Sequence, residues 1–103
     1  MLNRKYPIII SAEFSASDTL QETLEYYGIT QSEFAKHLSV SQSYVSDILL
    51  RKKFMSSEFA LKVERATGID AEFLLRMDLS YQLKKLKKES KALEKVKPYE
   101  WVA

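Results

Sequence analysis

Two short amphipathic segments, separated by only three residues, constrain the fold of this chain more than any other feature of its sequence. They are QSEFAKHL at residues 31–38 and QSYVSDIL at residues 42–49. Apolar residues recur at helical spacing in both: Phe34, Ala35 and Leu38 in the first, and Val45, Ile48 and Leu49 in the second. Two helices of about two turns each, joined so tightly, must cross steeply instead of running side by side.

Capping signals predict these two helices and three more. Thr30 and Glu33 form a T-x-x-E capping box before the first segment, and Ser41 is an N-cap for the second. The other predicted helices cover residues 18–27, with Ser17 as N-cap and Gly28 as the stop, a segment from the N-cap Ser56 to Gly68, and a segment that begins after the N-cap Asp70. The chain is therefore predicted to be all-α, with five helices.

Composition supports a helical domain and excludes several classes of protein. The 103 residues include two glycines and two prolines, which is few for a β-rich or disordered chain, and 46% are hydrophobic. There is no cysteine, which excludes a disulfide framework and a thiolate metal site and fits a reducing cytosol. We also expect no membrane span and no secretory signal, because the apolar runs are short.

The sequence shows no sign of catalysis. His37 is the only histidine, and no nucleophile–base pair, glycine-rich phosphate loop or pair of carboxylates accompanies it. We therefore expect that the protein is not an enzyme, has no catalytic residues and needs no metal or cofactor.

The helical pattern divides the chain into four parts. Residues 1–16 form an N-terminal arm without helical period, and residues 17–78 form the helical domain. A helical extension follows at residues 79–97, ended by Pro98, and residues 98–103 are a tail. We therefore expect one folded domain with an additional segment at each end.

The outer face of the helix at residues 42–49 consists of small hydrogen-bonding side chains. Amides, hydroxyls and carboxylates can reach the donors and acceptors of base edges in the major groove of DNA. A face that is merely solvated would more often carry Lys, Glu or Ala, because serine is a poor helix former. We therefore predict that this face reads bases, with a solvated surface helix as the alternative. The predicted base-reading residues are Gln42, Ser43, Tyr44, Ser46 and Asp47.

Basic residues next to this helix are predicted to contact phosphates. The overall charge is +2, and residues 1–83 carry 9 basic and 11 acidic side chains, so bulk charge does not mark a nucleic-acid binder. The run Arg51, Lys52 and Lys53, by contrast, follows the helix directly and would give sequence-independent affinity. Lys36 is a further candidate. A solvated basic loop is the alternative.

The sequence from Gly28 to Leu83, GITQSEFAKHLSVSQSYVSDILLRKKFMSSEFALKVERATGIDAEFLLRMDLSYQL, resembles the helix-turn-helix domain of the phage-repressor class (Cro/C1, or XRE). Residues 68–83, GIDAEFLLRMDLSYQL, further resemble HigA-type antitoxins. The resemblance extends over about residues 18–86. It implies a five-helix lambda-repressor-like DNA-binding domain with an extended N-terminal arm and a long C-terminal helix. It also implies a homodimer that binds a palindromic double-stranded DNA operator.

The resemblance assigns further roles, and the sequence departs from the family at three places, of which the first is Ala16-Ser17-Asp18 where the family has Pro-Gly-Glu. It implies that Gln31 touches a phosphate and braces the base-reading helix, and the N-cap Ser41 is placed among the phosphate contacts as well. The turn glycine of the family is Ser39 here, which predicts a non-glycine residue at positive φ. The family's Asn-Gly after the base-reading helix is Leu50-Arg51, so the shape of the following loop stays open.

Leucines in the C-terminal helix form a coiled-coil-like seam. Leu79, Leu83, Leu86, Ser90 and Leu93 recur in steps of four and three. We predict a dimer interface at the four leucines, Leu79, Leu83, Leu86 and Leu93. A long solvated helix docked on its own domain is the alternative, and the neighbouring lysines are expected to lie in solvent.

The resemblance further implies a protein partner, a RelE-like (HigB-type) toxin that cleaves mRNA. An extended apolar arm suits pairing with a sheet edge, and acidic residues complement the basic surface of an RNA-cleaving enzyme. We therefore predict toxin contacts at Tyr6, Ile8, Ile9, Ile10, Phe14, Glu22 and Glu25. An arm folded back on its own domain is the alternative.

Together these features predict a bacterial antitoxin, cytoplasmic and nucleoid-associated, that neutralises its toxin and represses its own operon. A stand-alone phage or plasmid repressor without a toxin is the alternative in the same class. An interaction module that uses this fold only to bind protein is the alternative from another class.

Overall fold

The computed structural model describes residues 15–100, and these residues form five α-helices and a short 3-10 helix without any β-strand. The helices are α1 (Ala16–Tyr27), α2 (Gln31–Leu38), α3 (Gln42–Leu49), α4 (Ser57–Thr67) and α5 (Ala71–Glu89), and the 3-10 helix covers Lys91–Lys95. The predicted all-α class and the long C-terminal helix are confirmed. Across the described range, no helix is both long and apolar enough to cross a membrane.

Four of the predicted N-caps hold the helix starts as expected. The side chains of Thr30, Ser41, Ser56 and Asp70 each accept a hydrogen bond from the backbone N–H three residues later, at 2.9–3.1 Å. Each such bond contributes about 1 kcal/mol to the stability of its helix. Gly28 ends α1 in the left-handed conformation at φ 66, where any L residue would be strained. The glycine stop is therefore explained by its backbone conformation.

The start of α1 differs from the prediction. The helix begins at Ala16 with Ser15 as N-cap, so the predicted start at residue 18 and the predicted N-cap Ser17 are wrong. The reason is the residue at the third helical position, whose side chain must accept a bond from the N-cap. Asp18 occupies that position relative to Ser15 and accepts from its backbone N–H at 2.8 Å. Leu20 would occupy it relative to Ser17, and its side chain has no acceptor.

The core forms where the apolar faces of the five helices meet. Its buried members include Leu20 and Leu24 from α1, Phe34, Ala35 and Leu38 from α2, Val45 and Ile48 from α3, Phe59 and Val63 from α4, and Leu74 and Met77 from α5. Burying one large apolar side chain stabilises a fold by about 1.5–3 kcal/mol. Because α2 and α3 are only eight residues long, these core contacts hold them in place rather than their own helix propensity.

α5 ends earlier than predicted. The prediction continued the helix to residue 97, whereas the α-helix ends at Glu89 and Ser90 adopts an extended backbone at φ −82 and ψ 111. Continuing the helix would add two like-charged pairs at i,i+4 spacing, Lys87 with Lys91 and Lys91 with Lys95, which oppose helix formation. The last seven residues of α5 are all exposed, so no packing offsets this repulsion. The helix therefore ends before the proline that was predicted to stop it.

A buried carboxylate on α5 ties three parts of the fold together. Asp78 is 4% exposed, and its oxygens accept from the backbone N–H of Ala16 at 3.0 Å and from that of Met55 at 2.8 Å. Burial raises the pKa of Asp78 above its ordinary value, although the two N–H groups oppose this shift. Ala16 is the first residue of α1, and Met55 precedes α4. The carboxylate thus fixes the start of α1 and the loop between α3 and α4 relative to α5.

We expect Asp78→Ala to lower the free energy of unfolding by about 2–4 kcal/mol, because two buried N–H groups lose their acceptor at a cost of about 1–3 kcal/mol each. Urea denaturation followed by circular dichroism at neutral pH measures this loss. Glu89→Ala, at the exposed end of the same helix, is the matched control and should change stability by less than about 0.5 kcal/mol. Equal effects of the two substitutions would show that the fold does not need the Asp78 carboxylate.

Candidate nucleic-acid interface

The face of α3 that points away from the core carries the predicted base-reading residues. Gln42 and Ser43 are exposed there, and Tyr44, Ser46 and Asp47 are half-buried. Val45 and Ile48 lie on the opposite face and are fully buried in the core. The structure thus brings the predicted residues together on one side of a short helix. Their contact with bases stays a prediction.

Tyr44 connects α3 to α4. Its ring lies edge-on to Phe59, with 5.1 Å between the ring centroids, and its hydroxyl is 3.5 Å from that of Ser56. The Nζ atom of Lys53 lies 5.6 Å from the centroid of the Tyr44 ring. An open groove of about 360 Å³ lies between the N-termini of α3 and α4 at this point. Tyr44 therefore contributes to packing as well as to the outer face of α3.

The turn before α3 depends on a residue in the left-handed conformation. Ser39 has φ 58 and ψ 45, which confirms the predicted positive φ at a position that lacks glycine. This conformation costs about 1 kcal/mol for a non-glycine residue. The N–H of Val40 holds the turn by donating to the carbonyl of Ala35 at 3.0 Å. The tight turn allows Ser41 to cap α3 directly afterwards.

The exit from α3 uses the same conformation at Arg51, where φ is 60. The loop whose shape the sequence left open therefore makes a left-handed turn without a glycine. The carbonyl of Asp47 accepts from the N–H groups of Lys52 at 2.8 Å and Lys53 at 3.3 Å. The loop is thus folded against the last turn of α3, and both lysines stay close to that helix.

The predicted phosphate contacts fall into two groups. The first lies around the ends of α2 and α3, where Lys36, Ser41, Lys52 and Lys53 are exposed and Gln31 is half-buried. Lys53 also forms a surface ion pair with Asp47, with 3.6 Å between Nζ and Oδ2, and such a pair is weak. Arg51 makes up the second group, because its side chain is turned towards α1. Of the three consecutive basic residues, Lys52 and Lys53 are therefore exposed beside α3, whereas the side chain of Arg51 lies against α1.

Arg51 interacts with the start of α1. It forms an ion pair with Asp18, and its Nε–H donates to the hydroxyl of Ser15 at 3.2 Å. Its guanidinium carbon lies 5.4 Å from the ring centroid of Tyr81 on α5. The Arg51 side chain is 34% exposed and that of Asp18 is 29% exposed. The structure therefore gives Arg51 internal partners, and a phosphate contact from it stays a prediction.

The ion pair shifts the pKa of both partners. Partial burial raises the pKa of Asp18, but the Ser15 N–H and the Arg51 guanidinium outweigh it and hold that pKa below its ordinary value. The Asp18 carboxylate in turn raises the pKa of Arg51. Asp18 also lies in the first turn of α1, where the helix dipole favours a negative charge. Both groups are therefore charged at neutral pH.

Two further side chains that the sequence did not assign to this region fix the end of α3. The buried hydroxyl of Ser17 donates to the carbonyl of Ile48, and Asp78 binds the loop beyond. The S-x-x-D spacing from Ser15 to Asp18 is a signal that would have identified the true N-cap and left Ser17 for this role. An acidic residue beside the apolar face of a predicted helix would likewise have indicated Asp78.

The leucines predicted to form a dimer interface are exposed. Leu79, Leu83 and Leu86 are 54%, 49% and 47% exposed on α5, and Leu93 is 50% exposed in the 3-10 helix. The sequence predicted that Leu93 continues the leucine seam on the same α-helix. This prediction is wrong, because α5 ends before Leu93. The dimer interface itself stays a prediction.

The predicted toxin contacts are only partly within the described residues. Glu22 and Glu25 are exposed on α1. Tyr6, Ile8, Ile9, Ile10 and Phe14 lie outside the range that the structure describes. All seven toxin contacts stay predictions.

Between Ser15 and Glu100, no group of three or more His, Cys, Asp or Glu side chains is placed to hold a metal ion. His37 is exposed near the end of α2. The chemistry that the described residues offer at α3 is hydrogen bonding and charge.

Comparisons with known proteins agree with this geometry. A family model described as helix-turn-helix matches residues 20–74, which include all of α2, α3 and α4. The solved structure of an addiction module antidote protein of a HigA family, from Coxiella burnetii, is 30% identical to this chain, with a TM-score of 0.71. The match covers 84% of this chain and 98% of that chain.

Two further proteins are similar over most of the chain. The antitoxin HigA of Pseudomonas aeruginosa, solved with the higBA promoter, shares the fold at 24% identity and a TM-score of 0.71, covering 84% of this chain and 97% of that chain. A virulence-associated protein I from Dichelobacter nodosus is 28% identical over 78 residues, which are 76% of this chain and 72% of that protein. The similarity therefore extends beyond the three central helices.

Proposed function

This chain belongs to the helix-turn-helix family and to the HigA type within it, and from that premise we propose that it represses its own operon and neutralises a toxin. The toxin is RelE-like (HigB-type), an enzyme that cleaves mRNA, and the antitoxin acts in the bacterial cytoplasm at the nucleoid. The observation that carries the DNA-binding part is the polar outer face of α3, whose opposite face is fully buried. A relative solved with promoter DNA supports the same assignment.

The side chains on the outer face of α3 are suited to base edges. Gln42 is the first residue of the helix and is exposed, and a glutamine amide can bind adenine with two hydrogen bonds. Asp47, one turn further on, can accept from the amino group of cytosine. Ser43 and Ser46 lie on the same face and can donate or accept. α3 is therefore the recognition helix of the proposed complex.

Groups at both ends of α3 are suited to the phosphate backbone. Ser41 lies at the N-terminus of the helix, where backbone N–H groups favour an anion, and Lys52 and Lys53 lie in the exit loop. Gln31 and Lys36 flank the recognition helix from α2. Contacts of this kind fix the register of the protein on the duplex and carry no sequence information. They supply the salt-dependent part of the affinity.

We expect Gln42→Ala to weaken binding to the promoter of the protein's own gene by about 1–3 kcal/mol and to weaken binding to random DNA much less. Fluorescence anisotropy titrations at several salt concentrations measure both affinities. Lys52→Ala is the contrasting control, since it should weaken both DNAs alike and reduce the salt slope by about 0.9. An equal loss of affinity for both DNAs in Gln42→Ala would show that Gln42 contacts a phosphate. A wild-type protein that binds promoter and random DNA equally well would contradict the proposed function.

A symmetric dimer fits the exposed leucines of α5. Leu79, Leu83 and Leu86 lie on one side of the helix, next to the half-buried Leu75, and about half of each of the three side chains is exposed. Pairing with a second copy would bury this stripe and present two recognition helices to successive turns of the major groove. The proposed interface therefore consists of these leucines of α5, with Leu93 at its edge.

We expect the combined substitutions Leu79→Ser, Leu83→Ser and Leu86→Ser to give a folded monomer with greatly reduced promoter affinity, because two half-sites are no longer bound together. Sedimentation velocity measures the oligomeric state. Leu61→Ser is the matched control, since Leu61 is 54% exposed on α4 and should leave the dimer intact. A triple variant that stays dimeric would place the interface elsewhere.

The proposed toxin contact combines the N-terminal arm with the acidic face of α1. Glu22 and Glu25 are exposed on that helix, and the apolar residues of the arm precede it in the chain. A toxin that cleaves RNA needs a basic surface, which these carboxylates complement. An extended apolar segment can add a strand to the sheet on which such a toxin is built.

We expect deletion of residues 1–13 to abolish neutralisation of the toxin encoded by the neighbouring gene, while promoter affinity changes by less than about threefold because base and phosphate contacts are unchanged. Growth of cells that express both proteins measures neutralisation. The combined Glu22→Gln and Glu25→Gln variant, which keeps the arm, should weaken neutralisation only in part. Full neutralisation by the shortened protein would show that the arm is not a toxin contact.

A further inference from the structure

The exit from α3 departs from the expectation that its three basic residues act alike. Arg51 has φ 60, a conformation that L residues rarely adopt and that persists only where surrounding contacts hold it. Lys52 and Lys53 follow directly, are exposed and bond back to the carbonyl of Asp47. The position of these two lysines therefore depends on what holds Arg51.

Three groups hold the Arg51 side chain, two at the start of α1 and one on α5. Asp18 forms the ion pair, Ser15 accepts from Nε at 3.2 Å, and the ring of Tyr81 lies 5.4 Å from the guanidinium carbon. A guanidinium presents its N–H groups in a rigid planar fork, so contacts on several sides give it one orientation. The Nε and Nη2 groups of Arg51 are thus turned towards Ser15 and Asp18 on the side of α1, and a phosphate contact through either of them would require Arg51 to leave that partner.

Charge gives a second argument. The Asp18 carboxylate neutralises Arg51, and a pair without net charge adds little to the attraction between the exit loop and the phosphates. Lys52 and Lys53 supply that attraction, because Lys52 has no acidic partner in the described residues and Lys53 has only a weak one. Geometry and charge thus both indicate that Arg51 has a different role from Lys52 and Lys53.

The ion pair belongs to a set of contacts that anchors residues 48–55 at both ends. At the start of this segment, the hydroxyl of Ser17 donates to the carbonyl of Ile48. At its end, the N–H of Met55 donates to Asp78 at 2.8 Å. The ion pair lies between these two anchors. The last turn of α3 and its exit loop are therefore positioned from α1 and α5.

We infer that Arg51 and Asp18 are positioning residues for DNA recognition, whose ion pair sets how α3 and the two following lysines face the duplex without contacting it. The inference rests on the proposed function and adds to it a residue of α1. For Asp18→Asn, the inference predicts the opposite change in DNA affinity from the one expected if Arg51 bound a phosphate. If Arg51 bound a phosphate, loss of the neighbouring negative charge would strengthen DNA binding, whereas loss of a positioning contact weakens recognition of the promoter.

Asp18→Asn and Arg51→Gln should each weaken binding to the promoter of the protein's own gene by about tenfold, and the double variant should be no weaker, because both changes remove one interaction. Binding to random DNA of the same length should change by less than about twofold, because the flexible side chains of Lys52 and Lys53 still reach phosphates from a displaced loop. Asparagine can still accept from the Ser15 N–H, so the N-cap of α1 is kept.

The exposed ion pair between Glu72 and Arg76 on α5, with 2.5 Å between Oε1 and Nη2, supplies matched controls. Glu72→Gln and Arg76→Gln remove the same chemical groups away from α3 and should leave both affinities unchanged, with sedimentation velocity confirming that both variants keep the wild-type oligomeric state. Tighter DNA binding by Asp18→Asn overturns the inference. So does an Arg51→Gln variant that weakens promoter and random DNA alike and lowers the salt slope by about 0.9.

A measurement without DNA separates this inference from the proposed function. Amide hydrogen exchange at residues 49–53 should accelerate in Asp18→Asn and in Arg51→Gln but not in the two controls, because the exit loop opens more often. Unchanged exchange overturns the inference even where the wild type prefers its promoter. A wild type without promoter preference overturns the proposed function, while accelerated exchange would still support the anchoring of the loop.

Discussion

The buried carboxylate of Asp78 fixes the framework of the fold, because it holds the start of α1 and the loop before α4 against α5. Its oxygens accept hydrogen bonds from the backbone N–H groups of Ala16 and Met55, which lie 62 and 23 positions earlier in the chain. A buried carboxylate is costly unless its oxygens are hydrogen-bonded, and both are. α2 and α3, with eight residues each, could not hold a fixed position alone. The longer helices therefore provide the framework, and the two short helices present the polar face.

The helices could be predicted from the sequence because their boundaries are encoded locally. A cap such as Thr30 or Ser41 bonds to an N–H three residues away, so spacing in the sequence is spacing in the structure. The predicted start of α1 was wrong because both Ser15 and Ser17 could serve as its N-cap. Asp18, at the third helical position after Ser15, accepts from the Ser15 N–H and so favours Ser15. The predicted end of α5 was wrong because the leucine repeat continues past Glu89, where the helix ends, and like-charged lysine pairs oppose its continuation. Local signals thus compete, and their relative strength is not visible in the pattern alone.

The polar face of α3 could be predicted for the same reason, since helical periodicity alone separates Gln42 from Val45. The partner of Arg51 could not. Asp18 lies 33 residues earlier, and the two meet only because α1 packs beside the end of α3. In the sequence, Arg51-Lys52-Lys53 is a uniform basic run, whereas tertiary packing turns the first of these side chains inward.

The left-handed exit residue of α3 has a consequence for the thermodynamics of association. A glycine at position 51 would adopt φ 60 without strain but would leave the loop more conformational freedom. With arginine tethered to α1, the entropy of the loop is lost when the chain folds and not when it meets a ligand. Segments that become ordered on contact show a large negative change in heat capacity. A chain with an ordered exit loop thus associates with a smaller entropy loss and a smaller change in heat capacity.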